Sequence, residues 1–377
     1  MKITKLTLAV LVAVGVMFTS CSSDDKIEEI VDKLTEYKFT RDGVSTVDYS
    51  EQTILLKQAF EIGAKLSAPE DPAITVDDIN NRFKEGTNFS DSSLNGSKLV
   101  EFVATSSHTD FDTYISGQIN DVFASSETAS EGVAGSYTSN GKTRYFNEKG
   151  LEYSQAYYKG LIGAFTLDQI VNVILSDVKT ASNTVIEGKN YTEQEHLWDQ
   201  AYGFLYGISE DDTTYSDRFL GHYLEEIQGQ ENFKKVKSVV DAALISGRQA
   251  IVANNETALD AAINTLRTQL SIVPVVRGLY YLQNARATAG DKESFHALSE
   301  GYGFIHSLQY TYNVATNKPY FTAQEVASYI AILEEGNGFY DLTTDDLVTD
   351  LMTPIYDKIA GDLGVSTLAD VVEKAVE

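Results

Sequence analysis

HLWDQAYGFLY at residues 196–206 and HALSEGYGFIH at residues 296–306 align without a gap. They share a histidine, five intervening residues, then Tyr-Gly-Phe and an aliphatic residue. Upstream of each stands a basic residue followed by Gly-Leu: Lys159-Gly160-Leu161 before the first, Arg277-Gly278-Leu279 before the second. Two elements recurring in the same order point to internal duplication. Their spacing is far longer than a solenoid unit, so the chain reads as two related halves instead of a repeat array. On a helix, His196, Gln200 and Gly203 share one face, as do His296, Glu300 and Gly303. The glycines let another helix backbone come close, and a pseudo-two-fold axis would pair these two helices near the centre.

The flanking sequence extends the helical reading. Ile54, Leu55, Ala59, Ile62 and Leu66 recur with helical spacing before Pro69 and Pro72. Thr75 with Asp78, Thr192 with Glu195, Thr322 with Glu325 and Thr343 with Asp346 are capping signatures, each marking a helix start. Leu259, Ile263, Leu266, Leu270 and Val273 predict a long helix that Pro274 should kink or break. Helical patterns also cover 109–124, 153–178, 216–228 and 232–253. Strand signals are few: Asn140-Gly141 within 135–146 suits a type I′ hairpin. Residues 22–50 read as a tether, with a short amphipathic piece from Ile27 to Leu34, followed by extended structure. The expected fold is all-α, an internally duplicated helical bundle with an extended N-terminal segment and a small β-hairpin insertion. Its expected parts are a signal (1–20), a lipidated tether and extended segment (21–50), a first helical half (51–255) and a second (256–377).

Charge narrows the function classes. With 55 Asp and Glu against 29 Lys and Arg, the net charge of −26 repels nucleic acid and anionic headgroups. Twenty-two tyrosines can serve sugar or peptide recognition, or pack where helices meet water. Lys2 and Lys5 precede an apolar run from Leu6 to Phe18, then Thr19, Ser20 and the single cysteine, Cys21. The run is too short for a mature spanning helix and ends in small residues. The stretch resembles a bacterial lipoprotein signal peptide, with Phe18 standing where such signals more often have leucine. The resemblance implies cleavage before Cys21 and a membrane lipid anchor on that residue. Ser22, Ser23, Asp24 and Asp25 resemble the surface-export signal of Bacteroidetes lipoproteins, which implies an outer-membrane lipoprotein facing outward. With Cys21 lipidated, no thiol remains for a disulfide or a sulfur-ligated metal.

Three longer stretches carry a family resemblance: YKFTRDGVSTVDYSEQ (37–52), EHLWDQAYGFLYG (195–207) and SFHALSEGYGFIHSLQY (294–310). They resemble the landmarks of a family of Bacteroidetes lipoproteins known as a domain of unknown function, a likeness that covers nearly all of the mature chain and implies no activity. A more distant similarity is to imelysin-like envelope proteins, helical and duplicated, associated with iron uptake and once described as peptidases. Their hallmark is Gly-x-His-x-x-Glu; here Gly221 directly precedes His222, with Glu225 three residues on, so the pattern is off by one.

His222 with Glu225, His196 with Asp199 and His296 with Glu300 each place a nitrogen and an oxygen donor on one helix face, a set suited to iron or zinc provided the fold gathers them. No EF-hand loop, HExxH, GxSxG or phosphate loop occurs. The acidic clusters Glu210-Asp211-Asp212 and Asp345-Asp346 read as solvated charges. The expected function is non-enzymatic binding in nutrient acquisition, with iron or an iron-containing ligand the leading candidate that the imelysin-like similarity implies. The alternatives are a glycan- or peptide-binding partner of an outer-membrane transporter, or an imelysin-like envelope peptidase. Cys21→Ala is expected to block processing at this site and release any mature product from the membrane; a wild-type product that mass spectrometry shows to be unacylated would contradict the lipid anchor.

Overall fold

The four Thr-x-x-acid signatures all start helical segments, because each threonine hydroxyl accepts one of the amides a helix start leaves unpaired. The hydroxyls of Thr75, Thr192, Thr322 and Thr343 take the amides of Asp78, Glu195, Glu325 and Asp346 at 3.1, 3.1, 3.2 and 3.3 Å. The computed structural model describes residues 36–69, 74–139, 141–209, 211–216 and 218–372. The signal, Cys21, the tether up to residue 35, Pro72, Asn140 and Glu210 lie outside the described residues.

In chain order the main elements are β1 (Thr40–Arg41), β2 (Val44–Ser45), α1 (Ser50–Ser67), α2 (Val76–Phe83), α3 (His108–Gly117), β3 (Gly135–Ser139) and β4 (Lys142–Phe146). There follow α4 (Tyr153–Asp177), α5 (Glu193–Tyr206), α6 (Leu220–Gln228), α7 (Val236–Val252), α8 (Glu256–Ala285), α9 (Phe295–Ser307), α10 (Ala323–Glu334), α11 (Thr353–Leu363) and α12 (Leu368–Val372). The fold is an all-α bundle with two small antiparallel hairpins. One is the expected β3–β4 pair. The other lies in the N-terminal segment, where Asp42 and Gly43 both take positive φ, 51° and 80°, and turn β1 onto β2.

Pro274 does not break α8, which runs unbroken through it for 30 residues. An interior proline costs about 3 kcal/mol. Around it Leu270, Val273, Val275, Val276 and Leu279 are all fully buried, and each buried aliphatic side chain contributes roughly 1.5–3 kcal/mol. Packing therefore outweighs the lost backbone bond. α8 lies between α7 and α9, and one hydrophobic cluster runs from Leu244 and Ile251 across to Leu259 and Ile263. The two expected halves thus share a core at the 255/256 boundary. By length and composition α4 is the one described helix that could cross a membrane, but the qualifying window is 67% buried inside the fold.

The two repeated helices do not pair with each other; each glycine faces a different partner. A Cβ on Gly203 of α5 would sit 2.4 Å from Tyr49 Cβ at the start of α1. On Gly303 of α9 it would sit 2.5 Å from Lys159 Cβ and 2.9 Å from the Gly160 nitrogen in α4. Along α9, Ser299, Gly303 and Ser307 recur every four residues and form a narrow stripe against α4. Ser299 Oγ accepts the Glu152 amide at 2.9 Å. Ser307 enters the α4 backbone itself: its hydroxyl accepts from Gly163 N at 2.9 Å and lies 2.7 Å from the Lys159 carbonyl, to which it donates. A hydroxyl inserted between the i and i−4 groups opens the helix, and α4 is wide-turned from Ile162 to Leu167.

Gly303→Leu and Gly203→Leu should each lower stability by about 1–3 kcal/mol through overpacking. Gly361→Ala in α11, where an added Cβ meets nothing within 4 Å, should raise it by roughly 0.5–1 kcal/mol. Thermal unfolding of the three variants checks both signs.

Candidate functional site

The first histidine pair serves a structural clamp. Arg248, in the middle of α7, is completely buried and donates from Nε to Asp199 at 3.0 Å, from Nη1 to Glu195 at 2.9 Å and from Nη2 to Thr46 Oγ1 at 3.0 Å. Arg41 meets both oxygens of Glu195 at 3.0 Å, and Tyr37 donates to Asp199 at 2.6 Å while stacking on Tyr202 at 3.9 Å. Two carboxylates thus face two guanidinium groups, and the N-terminal hairpin is strapped across α5 and α7. Burial lifts the Asp199 carboxyl to about 6 against the downward pull of Arg248 and Tyr37. Burial also opposes ionisation of Glu195, but the Thr192 amide and the two arginines prevail and hold it below its usual range. His196 lies stacked on Tyr191 at 4.7 Å and within 3.2 Å of the Gln200 amide, and burial lowers its pKa.

The other donor pairs lie elsewhere. Glu225 is taken by Arg218, and His222 is 3.9 Å from Glu226 instead. His296 lies between Glu152, at 2.5 Å from Nδ1, and Glu300, at 3.7 Å from Nε2. Among the described residues, no group of three or more His, Cys, Asp or Glu side chains is placed to hold a metal ion. The shared ion that the spacing anticipated needs two pairs together. Here the Asp199 and Glu225 carboxylates are each engaged by arginine.

What the fold assembles from these residues is an alternating series of charges. Glu226 is 3.7 Å from Arg277, and Arg277 and Lys159 stand over the same Tyr223 ring, 5.3 and 4.9 Å from its centre. These are the two basic residues of the repeated basic-Gly-Leu element, so both copies converge on one tyrosine in α6. Lys159 is 3.7 Å from Glu300, His296 follows, and Glu152 is 3.5 Å from Arg144 on β4. The Arg144 Nη1 also lies 2.6 Å from His296 Nδ1. That ring nitrogen can donate to Glu152 or accept from Arg144, but not both.

The series ends at an open cleft of about 360 Å³ lined by Tyr137, Ser139, Lys142, Arg144, Lys292, Glu293, His296 and Ala297. One wall is a single face of the β3–β4 hairpin, since Tyr137 is paired with Arg144 and Ser139 with Lys142 across the strands. The other wall is the start of α9. Tyr137 donates to Glu293 at 2.7 Å, and Lys292 sits 4.8 Å over the Tyr137 ring while donating to the Ala129 carbonyl at 3.0 Å. Sequence reasoning singled out His296 but not its companions on the hairpin, which lie about 150 positions away.

An all-α bundle with a hairpin-walled, cation-lined cleft is the class that fold and site define. The chain belongs to the family described as domain of unknown function DUF4856, which matches residues 34–365. No curated protein and no solved structure matches it.

Arg248→Met should cost about 3–5 kcal/mol, because it leaves the buried Asp199 carboxylate without a cation and Glu195 with Arg41 alone. Asp199→Asn in the same chain should recover part of that loss. Denaturant unfolding of the single and double variants checks the coupling, and additive effects would show that the clamp is not a unit.

Proposed function

We propose that the mature chain is an outer-membrane lipoprotein, displayed on the cell surface, that captures a soluble ligand for nutrient uptake without converting it. The observation that carries this reading is the cleft between the β3–β4 hairpin and α9, whose volume falls within the roughly 300–1,000 Å³ range of small-molecule sites. Its polar groups are arranged for holding. Glu293 is occupied by Tyr137, and the His296 Nδ1 is taken by either Glu152 or Arg144. The lipoprotein-like start of the chain supports the location. Iron fits this reading as cargo inside an organic anion, since a bare ion would need a ligand set that the described residues do not group. Delivery to an outer-membrane transporter follows from the location.

Ala297→Trp places an indole at the cleft wall, and because Ala297 also packs on the core, the variant's unfolding temperature is measured beside its growth. A host strain producing this variant should keep the protein on its membrane yet grow several-fold more slowly on a limiting polysaccharide or iron chelate. Growth equal to wild type on every such source, or turnover of glycan or casein by the purified wild-type protein, would overturn the capture role.

A further inference from the structure

Acids outnumber bases almost two to one in this chain, but the cleft reverses the ratio, with Lys142, Arg144 and Lys292 against Glu293 alone. The reversal follows from strand pairing. Alternation along β3 and β4 turns Tyr137, Ser139, Lys142 and Arg144 to the cleft, while Thr138 and Thr143 bond to each other at 2.9 Å on the opposite face. The three cations differ in how they are held. Arg144 is held by the Glu152 carboxylate, and Lys292 by a backbone carbonyl and the Tyr137 ring. Lys142 has no side-chain partner among the described residues, so its charge is available to a ligand. A body of net charge −26 repels anions at long range, so an anion would be held at this cleft by short-range contacts with its cations.

We infer that the cleft binds an acidic sugar, its carboxylate held by Lys142 and Arg144 and its hydroxyls by Ser139, Tyr137 and Glu293. The inference rests on the capture reading above and names its ligand class. A cleft of about 360 Å³ is several times larger than a lone carboxylate or phosphate, so the anionic group belongs to a larger molecule. The lining offers hydroxyl, carboxylate and one aromatic ring, with Ala297 its only aliphatic side chain. The tyrosine ring and the aliphatic stems of the lysines add apolar surface, so the cleft presents both the polar groups that meet sugar hydroxyls and a ring that meets a sugar's apolar face.

Calorimetry on the full mature protein distinguishes the outcomes, using digalacturonate, the neutral digalactose, a short acidic peptide and inorganic phosphate as probes. Digalacturonate should bind at least tenfold more tightly than the other three. Lys142→Glu, an exposed change, should weaken it at least tenfold with unfolding temperature unchanged, and Lys292→Gln should weaken it less. Equal affinity for the acidic and neutral disaccharides, unaltered binding by Lys142→Glu, or no binding of digalacturonate overturns the inference. Tighter binding of the peptide or of phosphate also overturns it, by showing another anion class. A neutral sugar bound tightly and lost in Ala297→Trp would overturn the acidic ligand while the capture role stands, and the growth experiment judges that role separately.

Discussion

A single hydroxyl, that of Ser307, replaces a backbone hydrogen bond in the middle of α4 and seats α9 against it, and α9 supplies one wall of the cleft. It satisfies the Gly163 amide and the Lys159 carbonyl at once. That dual role holds α9 against α4 at a distance only glycine and serine allow. One helical turn toward the start of α9, Gly303 meets the Lys159–Gly160 backbone; a further turn on, Ser299 takes the Glu152 amide. The same register brings Glu300 to Lys159 and His296 to Glu152. The wall of the cleft is therefore the outer end of a contact whose inner end is Ser307.

The distribution of positive charge follows from the same packing. Arg82, Lys159, Arg248, Arg267 and Arg277 are all buried, each in contact with carboxylates, carbonyls or aromatic rings. A chain short of bases thus places five of its 29 inside, against three buried carboxylates among the described residues, Glu152, Glu195 and Asp199. The exterior becomes more acidic than composition alone implies. Against that exterior, three cations on one small cleft form a local exception, and the alternating charges behind it tie the exception to the core.

Much of the helical framework was legible, because capping is local: a threonine and an acid three residues on specify a helix start without reference to the rest of the chain. The β3–β4 hairpin was legible for a similar reason. Asp42-Gly43 carried the same kind of turn signal and went unread, so the N-terminal hairpin registered only as extended chain. The break expected at Pro274 does not occur, because its cost is local whereas the compensation comes from helices on either side of it. The site was harder. Glu195 and Asp199 display their carboxylates in the sequence, but their partner Arg248 is distant, and the only hint was a basic residue within the apolar run of α7. Spacing correctly placed His296 and Glu300 on one face; it could not show that Lys159 and Glu152, from another helix, would lie beside them.

The strap of residues 37–46 also defines how the body meets whatever holds the residues before it. A pull along the chain from that end reaches Tyr37 first, then Arg41 and Thr46, all attached by side chains to α5 and α7. No core helix lies in that line until α1. A pull from that end would be met by stacked rings and ion pairs laid across two helices. The chain before α1 is thus stitched to two helices far from it in sequence, so the first described residues are held by the middle of the chain.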